Sequence, residues 1–260
     1  LPWSGAPPHR IVRELARTQG TNVPARLVAS AKSWLCHPRV DRLAPILPWG
    51  ESAVETLRIS PVEASASYLR HLAAVWRHAR GRALADEDVV LCVPASFDEV
   101  ARELTVRAAS EAGLGKVTLL EEPQAAFYAW LAKHAAQAPL AVGDTVLVCD
   151  IGGGTTDFSL ITVRDGGVYE RVAVGDHLLL GGDTMDLALA RRVEGRLARG
   201  GRLEHHAFQQ LTQACRVGKE RLLRSPDGGD ERASWTITLA GRGSKLIGGA
   251  LHDEIARAEA

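Results

Sequence analysis

Lysine, aromatic residues and long apolar runs are scarce in this chain of 260 residues. Only five of the 31 basic residues are lysine, so a lysine beside a motif is a weak indication of function. No apolar stretch approaches the ~18 residues that a membrane-spanning helix needs. No basic segment followed by an apolar one opens the chain either. We therefore expect neither a membrane span nor a secretory signal.

The chain also lacks net charge and a cysteine framework. Its 31 acidic residues balance its 31 basic ones, which gives no electrostatic reason to expect nucleic acid or a membrane as a partner. The four cysteines, Cys36, Cys92, Cys149 and Cys215, are far apart and do not show metal-site spacing. Because Cys92 and Cys149 lie in apolar runs, we predict buried free thiols, a reducing compartment and a cytoplasmic protein.

The composition is that of a globular protein, and the spacing of apolar residues changes at about residue 89. Hydrophobic residues make up 46% and charged residues 24%, which predicts one large domain or two small ones. Before residue 89 the apolar spacing predicts three helices, at 11–18 ending at Gly20, from Pro24 through Leu35, and from Pro61 to Gly81.

From residue 89 onward, short apolar runs alternate with helical patterns. Residues 89–93 and 117–120 read as strands buried on both faces, and helices at 98–112 and from Pro123 to about residue 136 follow them. That order predicts a parallel β-α-β arrangement. Beyond it we predict antiparallel strands with a turn at 165–167, then two helices and a strand; the segments are 145–151, 158–163, 168–174, 183–197, 207–223 and 233–240.

The most informative motif is Asp-Ile-Gly-Gly-Gly-Thr-Thr-Asp at 150–157, between two predicted strands. Three glycines let the backbone bend tightly and present consecutive N–H groups, an arrangement that suits phosphate oxygens. Asp150 and Asp157 bracket the glycines, and carboxylates beside a phosphate site commonly hold Mg²⁺ through its waters. The alternative is a glycine-rich hairpin with solvated carboxylates.

Two further clusters lie at predicted turns. Gly181 and Gly182 open a helix, where backbone N–H groups favour anions, although Asp183 is equally explained as an ordinary N-cap. Glu121 and Glu122 follow a predicted strand, where sites of α/β proteins collect. One of these acids is a candidate general base, and the alternative is the preference of helix N-termini for acids.

Taken together, the motifs resemble the nucleotide-binding domain of Hsp70-type (DnaK-like) chaperones, members of the actin-like ATPase superfamily. The matching segments, in order, are Pro-Ala-Ser-Phe at 94–97, Glu-Pro-Gln-Ala-Ala at 122–126, the 150–157 loop and Gly-Gly-Asp at 181–183. The resemblance is clearest over 89–187 and continuous over 24–260.

This resemblance implies a two-lobed α/β fold of the actin-like, ribonuclease H-like type, here truncated at both ends. The implied divisions are a peripheral and a core part of each lobe, at 1–88, 89–142, 143–180 and 181–260. It also implies an ATP-hydrolysing domain of a chaperone, with co-chaperones and unfolded polypeptide as partners of the intact protein.

For the ligand, the resemblance implies ATP or ADP with Mg²⁺. Asp150 and Asp157 would lie near the metal and its waters. The residues implied to bind nucleotide are Gly152, Gly153, Gly154, Thr155, Gly181, Gly182 and Lys219. Among them, Thr155 would contact the γ-phosphate and Lys219 the adenosine.

For catalysis, the implied residues are Lys32, Glu122, Thr155 and Asp157. Glu122 matches the acid that couples hydrolysis to lobe movement, and Asp157 would organise the attacking water. Lys32 matches the family's catalytic lysine, the alternative being a surface lysine on a helix. Pro94 and Arg102 match its proline switch and relay arginine.

The sequence departs from the family's pattern in three places. The first phosphate loop, Asp-x-Gly-Thr-Thr, does not precede Lys32, and the second Gly-Gly adenosine loop is missing. Glu220 and Leu223 stand where the family has a basic residue and a serine. We therefore expect the 260-residue chain alone not to hydrolyse ATP, and expect an exposed edge at strand 89–93 that allows an edge-paired dimer.

Two other functions fit the same motifs. A bacterial actin-like filament protein shares the glycine loop between aspartates. A nucleotide-sensing scaffold without hydrolysis would retain the fold while the altered adenosine helix weakens ATP binding.

Overall fold

The structure, a computed structural model, describes residues 10–12, 14–23, 26–49, 58–134, 137, 139–176, 178–198, 200–224, 233–239 and 250–260. They fall into two compact units. The central unit holds the described residues between 28 and 181, and the terminal unit holds those of 10–27 and 182–260. The described strands form three small sheets, so the chain is a mixed α/β protein.

Helices of the central unit begin and end where local chemistry predicts. The long helix α3 is Pro61–Arg80; Ser60 caps it by accepting the Glu63 N–H at 3.1 Å, and Gly81 ends it with φ 71°. The predicted helix from Pro61 is therefore confirmed. Three further helices of this unit are α2 (Ala31–Leu35), α4 (Glu99–Glu111) and α5 (Glu122–His134).

The first sheet of the central unit is the predicted parallel pair. Strand β1 (Val89–Val93) lies beside β2 (Val117–Glu121), with Val89 opposite Val117 and Val93 opposite Glu121. Helix α4 connects the strands, as a parallel pair requires. One buried cluster joins α2, α3, β1 and α4 through Leu35, Val62, Val93, Phe97 and Leu104, which brings α2 into the same core as the sheet.

The second sheet of the central unit is antiparallel, also as predicted. It has the order β3–β4–β5, with β3 at Thr145–Ile151, β4 at Thr156–Arg164 and β5 at Val168–Val174. A tight turn at 165–167 joins β4 to β5; Gly166 and Gly167 adopt φ values of 74° and 75°, which favour glycine.

The terminal unit packs three helices with a two-stranded antiparallel sheet. The helices are α1 (Glu14–Asn22), α6 (Gly182–Leu197) and α7 (His205–Leu223), and the strands are β6 (Ser234–Leu239) and β7 (Leu251–Ala256). Val193, Leu211, Ile237 and Ile255 lie at its core. Strand β7 was not predicted because Ile255 is its one buried residue, too little for an apolar pattern.

Two predicted helices near the N-terminus are wrong in extent. Helix α1 continues through Gly20, which is buried against Leu27, to Asn22. The helix predicted from Pro24 to Leu35 is limited to the five residues of α2; Pro24 itself lies outside the described residues. Ser30, with φ 54°, is left-handed and cannot continue a helix.

The prediction that Cys92 and Cys149 are buried is also wrong. Both cysteines are exposed, as is Val90 in β1 at 55%. Strands β1 and β2, predicted to be buried on both faces, are only partly buried, and β1 and β3 alternate between more and less exposed residues. A continuous apolar run does not show whether a strand is buried on both faces or on only one. Side chains alternate between the two faces of a sheet whatever the composition.

Cys215 is expected to resist alkylation in the folded 260-residue chain at pH 8. It is fully buried, and burial raises the pKa of its thiol to about 12. Roughly one thiol in ten thousand is then ionised at that pH. Iodoacetamide labelling read by peptide mass spectrometry checks this, with the exposed Cys149 as control. Equal labelling rates of Cys215 and Cys149 in the folded chain would show that Cys215 is not buried.

No described helix combines the length and apolar character needed to cross a membrane.

Candidate functional site

The glycine loop is a tight connection between β3 and β4. The Gly152 N–H donates to the Thr155 carbonyl oxygen at 2.8 Å, which closes the turn. Thr155 is buried, 6% exposed, whereas Gly152 and Gly153 are exposed. The loop thus presents open backbone at its tip while its threonine is held inside the fold.

The two flanking aspartates face each other across the sheet. Asp150 and Asp157 are direct partners in the β3–β4 register, so their side chains lie on one face. Asp157 is 3% exposed and Asp150 is half-buried. Neighbouring carboxylates repel unless a cation lies between them. The described residues contain no group of three or more His, Cys, Asp or Glu side chains placed to hold a metal ion.

Gly181 packs directly on the backbone of the glycine loop. A Cβ atom at position 181 would fall 2.6 Å from the carbonyl oxygens of both Gly152 and Gly153. Thr156 holds the same segment, since its hydroxyl donates to the Leu180 carbonyl at 2.8 Å and its N–H to the Leu178 carbonyl at 3.0 Å. The structure therefore brings Gly181 to the loop, and only glycine fits there.

Consecutive residues of α2 reach Glu122 and the glycine loop. The Lys32 ammonium forms an ion pair with the Glu122 carboxylate, and Ser33 lies where a side chain on Gly154 would be. Lys32 is half-exposed and Glu122 mostly buried, at 52% and 20%. Two predicted catalytic residues thus touch, and the sequence pattern had not indicated Ser33.

Arg102 joins the loop after β1 to the end of β2. It donates to the Phe97 carbonyl at 3.2 Å and to the Glu121 carboxylate at 2.9 Å. Glu121 also forms an ion pair with Arg171 of β5. Pro94 is fully buried beside this loop. Arg171 was not predicted, because nothing in a strand sequence marks which cation will meet a distant acid.

The remaining predicted residues lie in the terminal unit. Lys219 is nearly buried, and its ammonium contacts Asp186 at 2.6 Å and donates to the Gly182 carbonyl at 3.0 Å. Arg216 contacts Asp183 at 3.2 Å. Burial raises the pKa of Asp186, although the charge of Lys219 opposes the rise. The predicted contact of Lys219 with adenosine stays a prediction.

Arginines of the same unit compensate the negative charge of Glu220, at a position where the Hsp70 pattern has a basic residue. Arg17 donates to both of its oxygens, at 2.9 and 2.7 Å, and Arg216 donates at 3.1 Å. Burial opposes ionisation, but these hydrogen bonds lower the pKa of Glu220 overall. An open depression of about 500 Å³ is lined here by Arg17, Val217, Glu220, Arg221 and Arg224.

Comparison with known proteins identifies similar sequences. The sequence model of a family described as Hsp70 protein matches residues 7–227. A chaperone protein HscA homolog of Pseudomonas fluorescens is 35% identical over an alignment of 242 residues that covers 88% of this chain and 37% of that protein. Chaperone protein HscA of Serratia proteamaculans is 33% identical over an alignment of 232 residues that covers 85% of this chain and 36% of that protein. The chain spans about a third of the length of these curated relatives.

Proposed function

Because this chain belongs to the Hsp70 protein family, we propose that it forms part of the domain with which an Hsp70-like chaperone binds and hydrolyses ATP. The family's actin-like ATPase fold is compatible with the mixed α/β structure and its separate sheets. In this proposal 89–142 and 143–180 are the cores of two lobes, and 1–88 and 181–260 are their peripheral parts. The family match favours this function over an actin-like filament.

The observation that carries the proposal is the glycine loop with its surroundings. Gly152–Gly154 would donate backbone N–H groups to phosphate oxygens, which is the chemistry that glycine-rich concavities supply. Gly181 packs against the loop backbone too closely for any side chain, and the Ser33 side chain lies in the space beside Gly154. Such close packing holds the loop in one conformation before a ligand binds.

The donor set also fits Mg²⁺ coordinated partly by water. Asp150 and Asp157 share one face of the sheet and supply carboxylate oxygens, which this cation prefers. When bound, the metal would neutralise charge on the phosphates.

Hydrolysis in this proposal depends on positioning and electrostatics instead of covalent catalysis. The Lys32 ammonium supplies positive charge, and Glu122, ion-paired with it, orients a water for attack on the γ-phosphate. The Thr155 hydroxyl contacts that phosphate, while Asp157 helps to order the attacking water. Unfolded polypeptide and co-chaperones are the proposed partners of the full-length protein.

Thr155→Ala in the full-length protein is expected to slow ATP hydrolysis about tenfold or more, because it removes a hydroxyl that contacts the transferred phosphate. Single-turnover phosphate release measures this effect, and calorimetry with ATP and Mg²⁺ measures binding, which should weaken less. Thr236→Ala, at an exposed position of β6, is the matched control. Parental protein that binds ATP without releasing phosphate would instead indicate a nucleotide-sensing scaffold.

A further inference from the structure

The two adjacent acids at the end of β2 have different partners. Glu122, the first residue of α5, pairs with Lys32. Glu121, the last residue of β2, turns away to Arg102 and Arg171, and its side chain is 13% exposed. The function proposed above uses Glu122 but gives Glu121 no role.

Glu121 is a mostly buried carboxylate between two guanidinium groups. Arg102 donates to one carboxylate oxygen at 2.9 Å, and Arg171 pairs with the other. The arginine side chains are 25% and 28% exposed, so all three groups are largely shielded from water. Loss of the Glu121 charge would leave the positive charges of Arg102 and Arg171 without their shared partner. This lowers the free energy of unfolding more than the loss of an exposed ion pair does.

Each arginine ties Glu121 to a different part of the central unit. Besides Glu121, Arg102 donates to the carbonyls of Phe97 and Ala95, at 3.2 and 3.5 Å, and so holds the loop that follows β1. Arg171 belongs to β5 of the other sheet. Glu121 therefore connects the first sheet, its loop and the second sheet at the junction where α5 begins.

A second contact joins α5 to the same strand. Phe127 of α5 meets Tyr169 of β5 edge-on, with ring centroids 5.0 Å apart. Tyr169 and Arg171 are two residues apart on β5 and so lie on one face of it. The contact between Phe127 and Tyr169 thus holds α5 against β5. The ion triad of Glu121, Arg102 and Arg171 adds a second connection just before the helix begins.

We propose that Glu121 is a positioning residue, which acts through Glu122 by holding the β2–α5 junction between Arg102 and Arg171. This inference rests on the proposed function, because the consequence is for ATP hydrolysis. When the ion pairs of Glu121 with Arg102 and Arg171 are intact, they hold the residue that directly precedes Glu122. Catalysis by positioning is sensitive to displacements of about 1 Å, so a loosened junction lowers the rate without removing a reacting group.

Glu121→Gln in the full-length protein tests the proposal. The substitution keeps the size of the side chain and removes its charge. We expect kcat for ATP hydrolysis to fall about fivefold, while the KM for ATP stays within about twofold. Glu121→Asp retains the charge on a shorter side chain and is expected to restore part of the rate. Glu170→Gln, in an exposed ion pair with Arg164 next to Arg171, is the matched control and should change neither constant.

A double substitution tests whether Arg171 acts through Glu121. Glu121→Gln combined with Arg171→Gln should slow hydrolysis no more than Glu121→Gln alone, since contacting residues are not additive. Equal kcat in parental and Glu121→Gln proteins, or full additivity of the two substitutions, would overturn the proposal.

Hydrogen exchange separates failure of this inference from failure of the proposed function. Amides at 121–126 should exchange faster in Glu121→Gln than in the parental and Glu170→Gln proteins, with or without nucleotide. If the parental protein releases no phosphate, the proposed function fails, and this exchange difference still decides whether Glu121 holds the junction. Unchanged exchange at 121–126 would show that it does not.

Discussion

Glu122→Ala in the full-length protein is expected to slow ATP hydrolysis by one or more orders of magnitude, since a positioned acid or base typically contributes about 100- to 10,000-fold. Glu122 is mostly buried at the start of α5 and pairs with Lys32, whose neighbour Ser33 abuts the glycine loop. Alanine removes the carboxylate that is proposed to orient water, and it removes the ion-pair partner of Lys32. Nucleotide affinity should change less, because the loop N–H groups are untouched.

Single-turnover hydrolysis and calorimetric titration with ATP and Mg²⁺ together separate these effects. Glu111→Ala, in an exposed pair with Arg107 on α4, removes an acid away from Glu122 and should leave both measurements unchanged. Lys32→Ala should slow hydrolysis as well, and the double substitution with Glu122→Ala should be less than additive because the residues touch. Parental rates in Glu122→Ala would refute the assigned role.

Gly181→Ala is expected to destabilise the central unit and to disturb the glycine loop at the same time. The new methyl group would lie 2.6 Å from two backbone carbonyl oxygens, those of Gly152 and Gly153. Backbone atoms cannot rotate away as a side chain can, so the loop must shift. Overpacking of this kind lowers the free energy of unfolding by about 1–3 kcal/mol, and the shifted loop should bind nucleotide more weakly.

Urea unfolding of the 260-residue chain measures the first effect, and ATP titration of the full-length protein measures the second. Gly195→Ala is the control, because Gly195 lies within α6 with open space around it. There alanine should raise the free energy of unfolding by about 0.5–1 kcal/mol, since it restricts the unfolded chain and favours helix. Equal stability of Gly181→Ala and the parental chain would show that Gly181 does not pack closely on the carbonyl oxygens of Gly152 and Gly153.

Most regular elements were predictable because their signals are local. Pro61 and Gly81 mark the ends of α3, and the apolar runs at 89–93 and 145–151 coincide with β1 and β3. The spacing of these runs also predicted the parallel and the antiparallel sheet correctly. Capping, turn chemistry and side-chain period depend on neighbours within a few residues, and a sequence contains that information directly.

Other features were not predictable because they depend on distant partners. Exposure of Cys92 and Cys149 depends on what covers a sheet face, which an apolar run does not specify. Strand β7 has one buried residue and is defined by its pairing with β6. The left-handed Ser30, which delays α2, belongs to a residue type with no strong preference for that conformation.

For the candidate site, the sequence alone determined the glycine loop, its two aspartates and the acids at the start of α5, since each is a short motif beside a predicted strand. Only the tertiary structure decided their partners: Lys32 with Glu122, Gly181 on the loop, and Arg102 with Arg171 around Glu121. The physical reason is that a motif needs its own few residues, whereas an ion pair or a packed glycine needs segments far apart in the chain to meet. Composition does not show which of the 31 basic residues pairs with a given carboxylate, because the tertiary fold determines which residues meet.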